Sequence, residues 1–164
     1  MSHGQQTSIT TTVSFYVSYN QVAVFDPSLA RPFNEWTDKH VRQGFSWRPG
    51  SVSFRSLIEA GRHGVEIEIV DRMREVHPDA VRVIEVPFDV PEDGSLEVGS
   101  VIETIPLSLP AGPYLLRCEF LRSDAADGRA RLTFAKRDPG HFAVVLADHE
   151  LEIEGDLLVM AQPA

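Results

Sequence analysis

The sequence predicts an all-β protein: an antiparallel β-sandwich of roughly eight to ten strands with one short helix near residues 37–43. Three observations carry this. Apolar and β-branched residues recur with period two in one short run after another. Clusters of proline, glycine and aspartate break those runs at fairly regular spacing. No long stretch of helical period separates them, which argues against a parallel α/β sheet. The 164 residues suit a single domain, 1–164, with 1–8 expected as a flexible N-terminus.

Taken in order, Val13, Phe15, Val17 and Tyr19 alternate through ITTTVSFYVSY, and a bend at Tyr19–Asn20 leads into QVAVFD. PSLARPF, with two prolines, interrupts the pattern. Thr37 then offers an N-cap, Asp38 a carboxylate in the first turn, and Gly44 a left-handed C-terminal residue. The resulting two turns are too short to stand alone; Trp36, Val41 and Phe45 are expected to pack them. RPG at 48–50 turns the chain into SVSFRSL, and VEIEIV at 65–70 alternates strictly. DRMREVHPDA reads as a loop. VRVIEVPFDV is a strand in which Pro87 marks a sheet edge or a bulge. PEDGS at 91–95 reads as a hairpin, with LEVGSVIETIPLSL as the return strand. PAGP leads to YLLRCEFLR, a polar loop joins it to RARLTFAK, and HFAVVLAD and ELEIEGDLLVM close the chain as one or two further strands.

Charge narrows the functional classes. Lys+Arg number 15 and Asp+Glu 24, a formal net charge of −9. An acidic chain disfavours direct nucleic-acid binding, which needs a basic surface, and suits a basic partner. The single cysteine, Cys118, permits no internal disulfide and no all-cysteine metal site. It shares a face with Tyr114, Leu116 and Phe120, so it reads as a buried, inert thiol. Among six histidines none stands in a zinc-type spacing. In DHE, 148–150, His149 points to the opposite face of a strand from Asp148 and Glu150, against a metal site. There is no nucleophile elbow, P-loop or dinucleotide fingerprint. No catalytic residue, metal or cofactor is expected. MSHGQQTS has neither the basic nor the apolar part of a secretory signal. The longest apolar run, FAVVLA, falls far short of the roughly 20 residues of a membrane span. A cytoplasmic location, with any membrane association coming through a partner, is the expectation.

The acid is unevenly spread. Residues 138–164 hold Asp138, Asp148, Glu150, Glu152, Glu154 and Asp156, with no lysine or arginine. As a strand, HELEIEGD would place Glu150, Glu152 and Glu154 on one face, about 6.6 Å apart. Glu66 and Glu68 repeat the device in VEIEI. Such a stripe reads either as the solvated face of a half-buried strand or as a surface attracting a basic partner. Phosphates in DNA recur about every 3.4 Å per strand, so the match to that spacing is loose. Glu150, Glu152, Glu154 and Asp156 are the candidate partner contacts, with Trp47 as an apolar anchor; Trp36 is expected in the core.

Several stretches, in order, carry a family resemblance: SYNQVAVFD (18–26), EWTDKHVRQGF (35–45) followed by GSVSF (50–54), VIEVPFDV (83–90), EDG (92–94) and IPLSLPAGPYLLRC (105–118). The most specific part is Trp-Thr-Asp, a short helix, then Gly-Phe and Gly-x-Val-Ser-Phe. With these the chain resembles the ComJ competence-protein family. The resemblance implies a β-fold in which the helix caps a sheet end or edge. It also implies a non-enzymatic, immunity-type inhibitor of a DNA-degrading nuclease; the acidic surface adds the expectation that it binds and occludes that enzyme by docking on its basic DNA-binding cleft. The resemblance assigns no individual residue a role. The alternative is a small-ligand or carbohydrate-binding β-sandwich module, marked by exposed aromatics on a concave face. An enzyme would instead show His141 or His149 meeting a carboxylate in a deep pocket.

Overall fold

In the computed structural model residues 9–164 are described; the segment 1–8, expected to be flexible, lies outside the described residues. Eleven strands and one helix follow in chain order: β1 (Ile9–Val17), β2 (Gln21–Phe25), α1 (Asp38–Gln43), β3 (Phe45–Arg48), β4 (Ser51–Arg55), β5 (Gly61–Val70), β6 (Ala80–Val90), β7 (Ser95–Gly99), β8 (Thr104–Ser108), β9 (Gly112–Leu121), β10 (Gly128–Ala135) and β11 (Ala143–Leu146). Six form one sheet in the order β1-β5-β10-β9-β6-β11, and five form a second in the order β3-β4-β2-β7-β8. The all-β sandwich is as the alternation predicts. Among the described strand pairs, β5 and β10 alone run parallel, Gly128 opposite His63 through Ala135 opposite Val70. Those strands lie far apart in the chain, so no turn sets their relative direction.

Alternation also sets the core. Phe15, Ile67, Leu132, Cys118 and Ile84 stand on the inner face of the large sheet, against Val24, Phe54 and Val98 of the small one. Burying each such aliphatic or aromatic side chain stabilises the fold by about 1.5–3 kcal/mol. The Cys118 thiol, fully buried with Tyr114, Leu116 and Phe120, is pushed well up by burial.

The helix follows its caps. Thr37 accepts from the His40 amide, the Thr37 amide donates to His40 Nδ1, and Gly44 takes φ 91° at the C-terminus with its amide on the His40 carbonyl. Its packing differs from expectation. Phe45 is buried, but Val41 faces out and the fully buried helical side chains are His40 and Gln43. Residues 33–36 cover the β3 edge: Asn34 donates to the carbonyls of Ser46 and Ser51, and Ser46 Oγ donates to the Glu35 carbonyl. A covered edge is protected from stray pairing.

Three further expectations are corrected. FSWR, to which the sequence pattern assigns no element, is a strand that pairs with β4. The PEDGS turn does not make a hairpin, because β6 and β7 belong to different sheets. Its Gly94, at φ 74°, carries the chain across the sandwich. The hairpin is β7–β8, formed within the stretch read as one return strand. Lastly, ELEIEGDLLVM forms no strand. Pro87 lies where β11 no longer pairs with β6, a locally open edge that tolerates the missing amide.

The outer face of the large sheet explains two of the glutamates. Glu66, Arg131 and Glu119 stand side by side on β5, β10 and β9, as do Glu68, Thr133, Arg117 and Glu85 on β5, β10, β9 and β6. Arg131 bonds Glu119 at 2.6 Å, Arg117 bonds Glu85 at 2.7 Å, and Arg74 pairs with Glu68 at 3.7 Å. The segment 71–79 lies over this ladder, Arg117 donating to the Arg74 carbonyl and the His77 amide to Glu119. Glu68 is therefore buried and only Glu66 faces solvent.

Candidate functional site

Beyond β11 the chain becomes a strap over helix α1. Its backbone groups find partners on the helix and its flanks, so it needs no sheet edge. The Glu152 amide donates to the Arg42 carbonyl, and Lys39 Nζ to the Glu154 carbonyl. The Gln43 amide binds both backbone groups of Leu158, at 2.8 and 2.9 Å. His40 Nδ1 accepts from the Thr37 amide, which leaves Nε2 to donate to the Met160 carbonyl at 3.1 Å. Glu35 and Phe33 hold Gln162 and Ala164. Leu151 is buried over Gly44, where a Cβ would lie 3.1 Å from its methyls.

Arg82, fully buried at the start of β6, anchors the strap's entry. It binds Asp148 in bidentate fashion at 2.7 and 2.9 Å, reaches Glu150 at 3.1 Å, and donates to the carbonyls of Arg55 and Ser56. Burial pushes the Asp148 carboxyl up, but the Arg82 bonds outweigh it and hold the group below its ordinary range. Asp148 and Glu150 thus converge on a guanidinium, and His149 faces solvent.

The strap sorts the acidic residues. Asp138 pairs with Arg72, Asp148 with Arg82, and Glu150 with both Arg82 and Arg55. Glu152, Glu154 and Asp156 are exposed, and no internal ion pair holds their side chains among the described residues. So of the four candidate contacts, three present open carboxylates and Glu150 is half engaged. The evenly spaced stripe on a strand face is replaced by carboxylates on an irregular strap.

Trp47 is partly buried: its Nε1 donates to the Pro87 carbonyl at 2.8 Å and its ring meets Phe142 edge-on at 4.9 Å. His141 Nε2 lies 2.6 Å from Glu85, but that carboxylate already holds Arg117 and the pair sits on the outer face of the sheet. The contact ends the outer-face ladder of carboxylates and guanidinium groups.

The most exposed aromatic among the described residues is one that the sequence pattern does not single out. Tyr19 is 75% exposed and occupies φ 55°, with Asn20 at 58° beside it. The left-handed region costs a side chain other than glycine or asparagine about 1–2 kcal/mol. Asn20 locks the turn: its amide donates to the Glu59 carbonyl and its carbonyl accepts from Ser56. Tyr19 borders a cleft of about 300 Å³ with Asn20, Gln21, Trp36, Val41 and Arg55. Trp36, expected in the core, is instead half-buried in this wall, its Nε1 on Gln21 Oε1 at 3.2 Å and its ring against His40. Arg55 links cleft and strap, donating to the carbonyls of Val41 and Glu150. The available signal was a large aromatic directly before the asparagine of a predicted bend.

Residues 14–135 match the family described as Competence protein J (ComJ). The chain is 29% identical over 114 residues to the DNA-entry nuclease inhibitor of Bacillus subtilis (strain 168), covering 68% of this chain and 82% of that protein. Its fold superposes on the crystal structure of ComJ from Bacillus subtilis, described as inhibitor of the DNA degrading activity of NucA. There the TM-score is 0.69 at 20% identity, over 81% of this chain and 99% of that one. It also superposes on the crocagin biosynthetic gene J product, with TM-score 0.57 and 15% identity, over 80% and 99%. The strap lies outside the segment matched to the family. Among the described residues, no helix is long and apolar enough to cross a membrane.

Proposed function

The chain belongs to the Competence protein J (ComJ) family, and from that premise we propose that it is a nuclease inhibitor: a non-enzymatic protein that binds a DNA-degrading nuclease and blocks its DNA-binding cleft. The observation that carries this is the family match over most of the chain, together with the inhibitor described for the Bacillus relative. The mechanism is occlusion. A nuclease cleft must be basic to hold phosphates. This chain offers the opposite sign, with a net charge of −9 and open carboxylates at Glu152, Glu154 and Asp156. Long-range attraction between such surfaces raises association rates by about 10- to 1000-fold and fades within a Debye length of about 8–10 Å.

The test pairs this protein with NucA, the nuclease named for the ComJ relative, and with DNA-degrading nucleases of its own source. Co-expression and co-purification report binding, and digestion of plasmid DNA reports inhibition. Protection at equimolar ratio is the expected result. Undiminished digestion with no co-purification overturns the proposal.

A further inference from the structure

We propose that the cleft between Tyr19, Trp36 and Val41 anchors the partner, and that its occupant is an apolar side chain on a basic loop of the nuclease; this rests on the inhibitor reading above. The acidic strap accounts for attraction but not for tight contact, since exposed charges contribute more to encounter than to affinity. Interface affinity concentrates in a few large side chains at a desolvated centre inside a polar rim. The cleft has that anatomy. Tyr19 and Val41 expose apolar surface at its mouth, and Trp36 forms a wall already fixed by its bond to Gln21. Preorganised aromatics lose little freedom on binding.

Tyr19 adds an independent argument. Its turn needs φ 55°, which asparagine or glycine adopts more readily, and its ring is three-quarters exposed. The fold therefore pays for a strained aromatic that it does not bury. Strain retained without an internal return points to a use outside the fold.

The rim gives the occupant's charge. Arg55, the cation lining the cleft, is engaged by Glu150 and by two carbonyls. Glu59, whose carbonyl clamps Asn20, is exposed, Asp38 opens the helix that presents Val41, and Glu152 sits on that helix's last turn; Lys39 and Arg42 on the helix are the counter-charges, which leaves this set one negative charge in excess. This net negative rim repels DNA and favours a cationic segment of a protein.

The experiment compares full-length wild type with Tyr19→Asn, Val41→Arg and Tyr19→Phe. It measures dissociation constants for the nuclease, plasmid protection and melting temperature. Tyr19→Asn is expected to weaken binding tenfold or more while its melting temperature holds or rises, because the turn relaxes. Val41→Arg weakens binding at least as much, and Tyr19→Phe binds like wild type. Affinities within twofold of wild type for both Tyr19→Asn and Val41→Arg overturn the inference and leave the inhibitor reading standing. Saturating benzyl alcohol that shifts the Trp36 indole N–H resonance in NMR without competing with the nuclease also overturns it, in favour of a small-ligand cleft. Failure of wild type itself to bind sinks the inhibitor reading, and the anchor with it.

Discussion

Replacing Arg82 with leucine tests whether the acidic strap is fastened to the sandwich by one buried charge. Arg82 is fully buried, and the Asp148 side chain it holds is only 13% exposed. Breaking a buried pair from one side costs about 3–5 kcal/mol, because the remaining charge is stranded. The carbonyls of Arg55 and Ser56 also lose their donor. Glu150, at 40% exposure, turns to water and adds little. An expected loss of about 4 kcal/mol is a large share of the 5–15 kcal/mol typical of a domain. One route caps it: the strap opens and carries Asp148 into solvent, so the cost cannot exceed the strap's own opening free energy. Removing both charges, as Arg82→Leu with Asp148→Leu, leaves mainly the two carbonyls unsatisfied, about 1–3 kcal/mol. The double variant should therefore be the more stable of the two by about 1–3 kcal/mol. Equilibrium urea unfolding at pH 7 measures the energies, and limited proteolysis reports whether residues 136–164 have come loose. A cost below about 1 kcal/mol for Arg82→Leu, or a double variant weaker than the single one, refutes the reasoning.

The buried ring of His63, against Phe15 and Phe120, has its pKa lowered by burial to about 4. With about 6.5 in the unfolded chain, the neutral ring contributes about 3 kcal/mol; this is fully present above pH 6.5, falls between pH 6.5 and 4, and is gone below. Denaturant titrations across that range should show this slope in wild type and not in His63→Phe; equal slopes exclude it. At the β7–β8 turn a Cβ on Gly99 would lie 2.2 Å from the Glu103 carbonyl oxygen, so Gly99→Ala should cost about 1–3 kcal/mol. Gly64→Ala, with open space around it, should be about 0.5 kcal/mol more stable; thermal melts read both. Glu152→Gln, Glu154→Gln and Asp156→Asn together should slow association with the nuclease roughly tenfold at low salt and barely at 0.5 M, in stopped-flow measurements.

Some of this protein follows from short-range chemistry alone. Alternation places Phe15, Leu116 and Cys118 inside, because a strand's pleat sends every second residue to the same face. Thr37, Asp38 and Gly44 bound the helix, because capping is settled within one turn of chain. The excess of carboxylates, and their crowding after residue 138, need no fold to be seen. Tertiary structure decided what those carboxylates do. Glu150 and Glu152 look alike in HELEIEGD, yet one meets Arg82 and Arg55 while the other stays open, and Glu68 is covered where Glu66 is not. It turned a predicted final strand into a strap, because helix α1 and its flanks offered the backbone partners. It moved Trp36 from the expected core to the wall of a cleft shared with Tyr19, Val41 and Arg55. Ion pairs and clefts join residues far apart in the chain, and a local pattern carries no information about which distant group will arrive beside it.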